Sequence, residues 1–581
     1  MSDISFESSP IRSQASRDTW RAWPARHGIP ARWAWSIVTI IAVVLAFNYV
    51  RTEGRWPTQL IAFGGTISFA ALLAFATRRV LFATFLTVAI IVTIKLAAIA
   101  KLQTMNMVLH AYDLVFYLSD WPTVKYLLTE FSDQFLLLAF VLLTVAGLGW
   151  VIFRADPTRA RRSLSAAVAV AAFAVSVAGV IAMGERRHQQ FEYQGQFISS
   201  FLISWQETLE TLWKGQLIDA AHAAAGPPLA PLERCNTAFK PPHIILIHQE
   251  SVFPPSVFAN LNYDRSMDPF FRSHDGQLHK LRVETYGGAS NLTEFSILTG
   301  LSTRSFGGMR QFLQTVMAGK IREALPHVLE RCGYRNVMFY PMLKNFAQTG
   351  RFFEGVGLTD IRDKRGQNAP TFNERDAFYY RSALDEMERH FAQSRQPLFT
   401  FIETMSAHWP FNFTYAPEME VPGGLEGTHP EMHEFLRRVS IAKIDYDKLK
   451  KELARRFPSE RFLVVMYGDH QPMSTRMLLN FAENSDSEDV VIPPDSIGFH
   501  TFYAVNGVNY APPPLPRHEL VDVAYLSTLL LESARLPLPD SYRERRRLLD
   551  VCKGRYSDCV HQQEVLAFHR RLIDANLMQA R

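Results

Sequence analysis

Residues 243–250 read HIILIHQE, and residues 462–470 read FLVVMYGDH. Each is a run of branched and aromatic residues that stops at acids and imidazoles. A short apolar run with polar punctuation reads as a strand buried on both faces, the condition of a parallel sheet. Such sheets present their chemistry beyond the carboxyl ends of their strands. Glu250, Asp469 and His470 fall at those ends. Outward from this pair, KLRVE (280–284), NVMFY (336–340), LFTFIE (398–403) and FYAV (502–505) read as further strands, with helical patterns over 310–333 and 432–456. Strand-helix alternation predicts an α/β domain over 239–581, built on a mainly parallel sheet covered on both faces.

The first third of the chain is different. Five apolar stretches, near 33–50, 57–77, 80–100, 134–153 and 164–183, are long enough as helices to cross about 30 Å of hydrocarbon. They predict an all-α transmembrane domain over 33–184 after a disordered tail, 1–32. The first apolar run starts too late and is too long for a cleavable signal. The tail carries Arg12, Arg17, Arg21, Arg26 and Arg32; Arg78-Arg79 follows the second span, and Arg154, Arg159, Arg161 and Arg162 follow the fourth. Positive charge marks the cytoplasmic side, so these connections and the tail lie inside. An odd number of spans then places everything after residue 184 outside, with Arg186 and Arg187 as a modest violation. The expectation is a multi-pass protein of the cytoplasmic membrane, partnered by the lipid bilayer. Lys95 within the third span is functional, snorkels to the interface, or marks a shifted boundary. Segment 104–133 reads as an interfacial loop, and 185–238 as an amphipathic linker containing Phe191, Tyr193, Phe197, Phe201 and Trp205.

A net charge of +5, with no basic block interleaved with aromatics, excludes a nucleic-acid partner. The four cysteines lack metal-finger spacing. In an oxidising compartment Cys552 can pair with Cys559 and Cys235 with Cys332; four buried thiols are the alternative.

Two carboxylates and an imidazole delivered from strand ends suit a divalent ion, Mn2+ or Zn2+. Between them lies Tyr286-Gly287-Gly288-Ala289-Ser290-Asn291-Leu292-Thr293-Glu294-Phe295. Its glycines permit a tight loop, after which Ser290 or Asn291 caps a helix, with Glu294 as box partner for Asn291. A hydroxyl at a helix N-terminus sits where oxyanions are favoured, and beside a metal it becomes a nucleophile. His408, in SAHWPF beyond LFTFIE, can bind a phosphate or protonate a leaving group. Alone, each has an ordinary reading: helix cap, surface acid, loop histidine. Their joint placement after strands is what suggests a site.

Together these motifs resemble lipoteichoic acid synthase and related phosphoglycerol transferases of the sulfatase-like alkaline phosphatase superfamily. In that family a strand-end Glu, a Thr nucleophile opening a helix, and an Asp-His pair bind one metal ion. Those positions are Glu250, Ser290, Asp469 and His470 here, and the family's phosphate-contacting His of His-x-Pro-Phe falls on His408. The resemblance implies an α/β sulfatase-like domain behind the five membrane helices. It also implies transfer of a phosphoglycerol or phosphoethanolamine head group from a membrane phospholipid donor to a glycan or lipid acceptor through a covalent serine. Serine replaces the family's threonine and is chemically competent, with Thr293 as the fallback nucleophile. The family's Trp-Asn-Arg contact is replaced by KNFAQTGRFF, with Ala347 and Thr349 aligned and Arg351 nearby. A sulfatase nucleophile would be followed by x-Pro-x-Arg; Ser290 is followed by Asn-Leu-Thr-Glu. Two alternatives stand beside transfer: a phosphodiesterase or phosphatase using water, and a non-catalytic lipid-binding regulator of envelope assembly.

Overall fold

The computed structural model describes residues 30–105, 108–114, 121–130, 132–184, 196–215, 217–235, 237, 239–345, 348–479 and 495–580. The tail before Pro30, and Phe191 and Tyr193 of the linker, lie outside the described residues. The chain divides into two compact units, one built from residues up to Ala111 with Leu127–Trp205, the other from Tyr112–Tyr126 and the chain from Gln206 onward.

In the first unit, apolar composition and length give five helices able to cross a membrane: α1 (Ala31–Thr52), α2 (Trp56–Thr77), α3 (Val80–Met105), α5 (Ser132–Ala155) and α6 (Arg162–Met183). A short helix, α4 (Trp121–Glu130), falls within the predicted interfacial segment. Small residues let α2 and α6 approach closely: a Cβ on Gly64 would stand 2.5 Å from the Ala172 carbonyl. Ser68 and Ser176 donate across the same seam to Ala169 and Ile61 carbonyls, as expected where no hydrophobic force drives helices together. Lys95 has a partner within this unit, donating to Asn48 Oδ1 at 3.0 Å. The linker supplies α7 (Ile198–Lys214). Glu53 caps it, accepting from the Ile198 and Ser199 N–H groups at 3.0 and 3.1 Å. A carboxylate there satisfies orphan donors and the positive helix end.

The second unit is organised around an eight-stranded sheet, ordered β4-β3-β5-β1-β6-β7-β2-β8. All six predicted strands are present: β1 (His243–Gln249), β2 (His279–Arg282), β3 (Arg335–Phe339), β5 (Leu398–Glu403), β6 (Phe462–Gly468) and β7 (His500–Val508). β4 (Asp360–Arg362) and β8 (Val521–Asp522) were not foreseen. The block β4-β3-β5-β1-β6 is parallel throughout, and β7 runs antiparallel to both neighbours. Every residue of β1, β5 and β6 is buried, because apolar side chains from alternate positions enter separate cores on the two faces. The helix expected over 432–456 is present as Pro430–Arg456. The pattern over 310–333 is instead broken into a 3-10 stretch to Phe312 and helices Leu313–Val316 and Leu325–Arg331. Gly319 between them sits at φ 72°, incompatible with a continuous helix. Both disulfides form, Cys235–Cys332 and Cys552–Cys559.

Candidate active site

The sheet's register assembles the site. β1 lies between β5 and β6, with His248 opposite Glu403 on one side and Tyr467 on the other. Side chains alternate along a strand, so His248 and Glu250, Tyr467 and Asp469, and Glu403 leave their strand ends toward the same face. Gly468 permits the crowding just before Asp469, since a Cβ there would stand 1.9 Å from the Val252 carbonyl.

Ser290 arrives on the N-terminus of α8 (Ser290–Thr299), after three consecutive positive-φ residues, Gly287, Gly288 and Ala289. The expected capping box is not formed. Ala289 is the N-cap, in the left-handed conformation, and no side chain caps the helix. Ser290 Oγ turns instead to Glu250, donating to Oε2 at 3.0 Å. Glu294 turns inward and accepts from Gln314 Nε2 at 2.6 Å. Thr293 is fully buried and donates to the Asp469 carbonyl at 2.8 Å, which leaves it unavailable as the alternative nucleophile. Ser290 remains half-exposed.

Asp469 Oδ1 accepts from the backbone N–H of Ser251 (2.7 Å) and His470 (2.8 Å), which aims Oδ2 at the site. Asp469 Oδ2 and His470 Nε2 are buried without hydrogen-bond partners. They lie 3.3 Å apart, and His470 Nε2 is 3.4 Å from Glu250 Oε1. His470 Nδ1 donates to the Gln471 carbonyl at 3.0 Å, which leaves Nε2 facing the site. His248, not singled out in the sequence, brings Nε2 within 3.1 Å of Asp469 Oδ2 and 3.8 Å of Glu250 Oε2. Buried polar atoms are normally satisfied; here acids and imidazoles converge with only one another as close partners. That pattern, with oxygen and imidazole donors, fits a divalent cation. Glu250, Asp469, His470 and the Ser290 hydroxyl are the residues that would hold it.

Protonation divides these ligands, for the Glu250 carboxylate is ready to bind while the His470 imidazole must first lose a proton. Burial opposes ionisation of Glu250, but His470 and His248 beside it hold its carboxyl well below the usual range. Burial likewise opposes charging His470, yet Asp469 and Glu250 raise it to about 9. His408, half-exposed beyond β5, also lowers the Glu250 pKa through its charge. Its carbonyl accepts from the buried Arg438 guanidinium at 2.6 Å. Arg438 also donates to the Pro410 carbonyl at 2.8 Å and pairs with Glu434, fixing the loop that carries His408. Ala347 lies outside the described residues; Thr349 is buried, and Arg351 is exposed with Nη1 3.4 Å from Gln348 Oε1.

Residues 242–493 match the sulfatase family model. An uncharacterized protein of Haemophilus influenzae is 22% identical over 241 residues, 40% of this chain and 41% of that relative. The match thus spans about two-fifths of the relative's length. Among solved structures, the phosphoglycerol transferase GacH of Streptococcus pyogenes, in complex with sn-glycerol-1-phosphate, is 17% identical. It covers 60% of this chain and 89% of its own, with a TM-score of 0.46. Lipooligosaccharide phosphoethanolamine transferase A of Neisseria meningitidis, an integral membrane protein, is 13% identical over 87% of this chain and 98% of its own, with a TM-score of 0.46.

Proposed function

From a chain whose residues 242–493 form a sulfatase-family domain, we propose a metal-dependent transferase that moves a phospho-head group from a membrane phospholipid to an envelope glycan or lipid. The observation that carries this reading is the half-exposed Ser290 hydroxyl, 3.0 Å from an ionised Glu250 and beside the unpartnered Asp469 Oδ2 and His470 Nε2. A divalent ion bound there, Mn2+ or Zn2+, supplies Lewis-acid charge that acidifies the hydroxyl and neutralises phosphate oxygens.

Ser290 Oγ forms the new bond to phosphorus as the bond to the diacylglycerol oxygen breaks. Glu250 Oε2 is placed to take the hydroxyl proton, and His408 supplies one to the departing diacylglycerol oxygen. The product is a phospho-head-group serine. An acceptor hydroxyl then attacks the same phosphorus, with proton transfers reversed, and restores Ser290. Splitting the reaction this way explains why nucleophile and cation ligands occupy one cradle. Five helices able to cross a membrane support a lipid donor, because tethering to a bilayer raises the effective concentration of anything in it. Positive charge on the tail and even connections supports placement of the domain outside the cytoplasm.

Product analysis tests the reading. Full-length protein given phosphatidylglycerol or phosphatidylethanolamine, an acceptor and metal is expected to yield diacylglycerol and a modified acceptor, with Ser290→Ala at least about a thousandfold slower. Release of free head group alone would assign a hydrolase. Turnover unaffected by Ser290→Ala would overturn the covalent route.

A further inference from the structure

Behind the proposed catalytic cradle lies a second cluster of ligand-type side chains. His248 at the end of β1, Glu294 on α8 and Glu403 at the end of β5 each place one ligand atom within 4.8 Å of the other two. All three are more than nine-tenths buried, at 1%, 4% and 5% exposure. Glu403 Oε1 has no hydrogen-bond partner, and Glu294 has one oxygen engaged by Gln314. His248 Nδ1 lies 2.9 Å from the Tyr467 hydroxyl. Donation in that direction fixes the tautomer and leaves Nε2 as a ligand, the usual outer support of a metal-bound imidazole.

Charge makes the same point. Glu250, Asp469, Glu294 and Glu403 are buried on one side of the sheet. Among the described residues no lysine or arginine pairs with any of them; their ion pairs are to His248 and His470 only. Without a cation, burial holds the Glu294 and Glu403 carboxyls above the usual carboxylate range, so a dication bound between them would take the place of their protons.

We propose that His248, Glu294 and Glu403 form a second divalent-cation site, distinct from the outer one held by Glu250, Ser290, Asp469 and His470. One imidazole and two carboxylates match Mn2+ or Zn2+, and the two acids neutralise the ion. His248 Nε2 can serve one ion only, and this assignment gives it to the inner one. Enclosed by buried side chains, the inner ion is structural. It ties together β1, β5 and α8, the elements that carry Glu250, lead to His408 and carry Ser290.

The test counts ions. Full-length protein in detergent is stripped by a chelator and dialysed against Mn2+. Bound metal is then quantified by mass spectrometry and its coupling read by electron paramagnetic resonance. Two ions per chain are expected, with the broadened spectrum of a spin pair. Glu403→Gln and Glu294→Gln should each retain a single, uncoupled ion, and Glu250→Gln should lose the outer ion instead. A cooperative melting transition confirms folding even where loss of the inner ion lowers its midpoint, and either inner variant suffices if the other misfolds. A single ion in the wild type, unaffected by Glu403→Gln and Glu294→Gln but lost in Glu250→Gln, would overturn the inner site. It would assign protons to its carboxyls while leaving the transferase reading intact. No bound ion at all would overturn both.

Discussion

Ser290 Oγ, Glu250 Oε2 and Nε2 of His470 define what a bound cation must meet, and they make its binding a proton-linked event. In the metal-free protein, burial disfavours the imidazolium, but Asp469 and Glu250 outweigh it and keep His470 protonated up to about pH 9. A ligand must give up its proton first, so apparent metal affinity falls as pH drops below 9, by up to about tenfold per unit for one proton. Calorimetry in buffers of differing ionisation enthalpy should record proton release on binding; affinity independent of pH would remove His470 from the ligand set. Glu250, Ser290, His408, Asp469 and His470 were legible because each follows an apolar strand or opens a helix at a glycine turn. His248 and Glu403 were missed because they end strands read only as apolar runs. Their signal was parity: His248 is two before Glu250, as Tyr467 is two before Asp469, all polar on one face.

The strands were readable for the reason the site is rigid: β1, β5 and β6 are buried on both faces, which forces near-continuous apolar sequence. β4 and β8 escape that rule because they stand at the sheet edges, with three and two residues. Helix Gln562–Asp574 shows a polar contact doing similar ordering work inside the second unit. His569 is fully buried, donates from Nδ1 to the Asp219 carbonyl at 2.7 Å, and accepts at Nε2 from the Tyr556 hydroxyl at 2.9 Å. Burial pushes it down from 6.5 to about 4. With the folded value below the unfolded one, this contribution is complete above pH 6.5 and is lost as pH falls toward 4. The loss amounts to roughly 3 kcal/mol. Denaturant unfolding of the second unit should weaken across that window, with a shallower dependence in His569→Gln. Identical pH profiles would show that His569 is protonated without cost.

Five apolar helices and a domain whose residues 242–493 match the sulfatase family model give the account its central claim, a nucleophile working on lipid. The disulfides agree with a domain exposed to an oxidising compartment. Cys235–Cys332 spans 97 residues of sequence, and closing so long a loop restricts the unfolded chain by about 4–5 kcal/mol. Sequence could carry the span count and the α/β division, since both follow from hydropathy and period. It could not carry the head group, because KNFAQTGRFF stands where the resembled family has its Trp-Asn-Arg contact, with Arg351 from a neighbouring turn as the candidate substitute. The most direct measurement uses full-length protein in lipid micelles with Mn2+ or Zn2+ and one phospholipid at a time, without acceptor, followed by mass analysis of the peptide carrying Ser290. The account predicts a phospho-head-group adduct on Ser290 with one donor and none in Ser290→Ala. Metal-loaded, folded protein that releases diacylglycerol while Ser290 stays unmodified would contradict it.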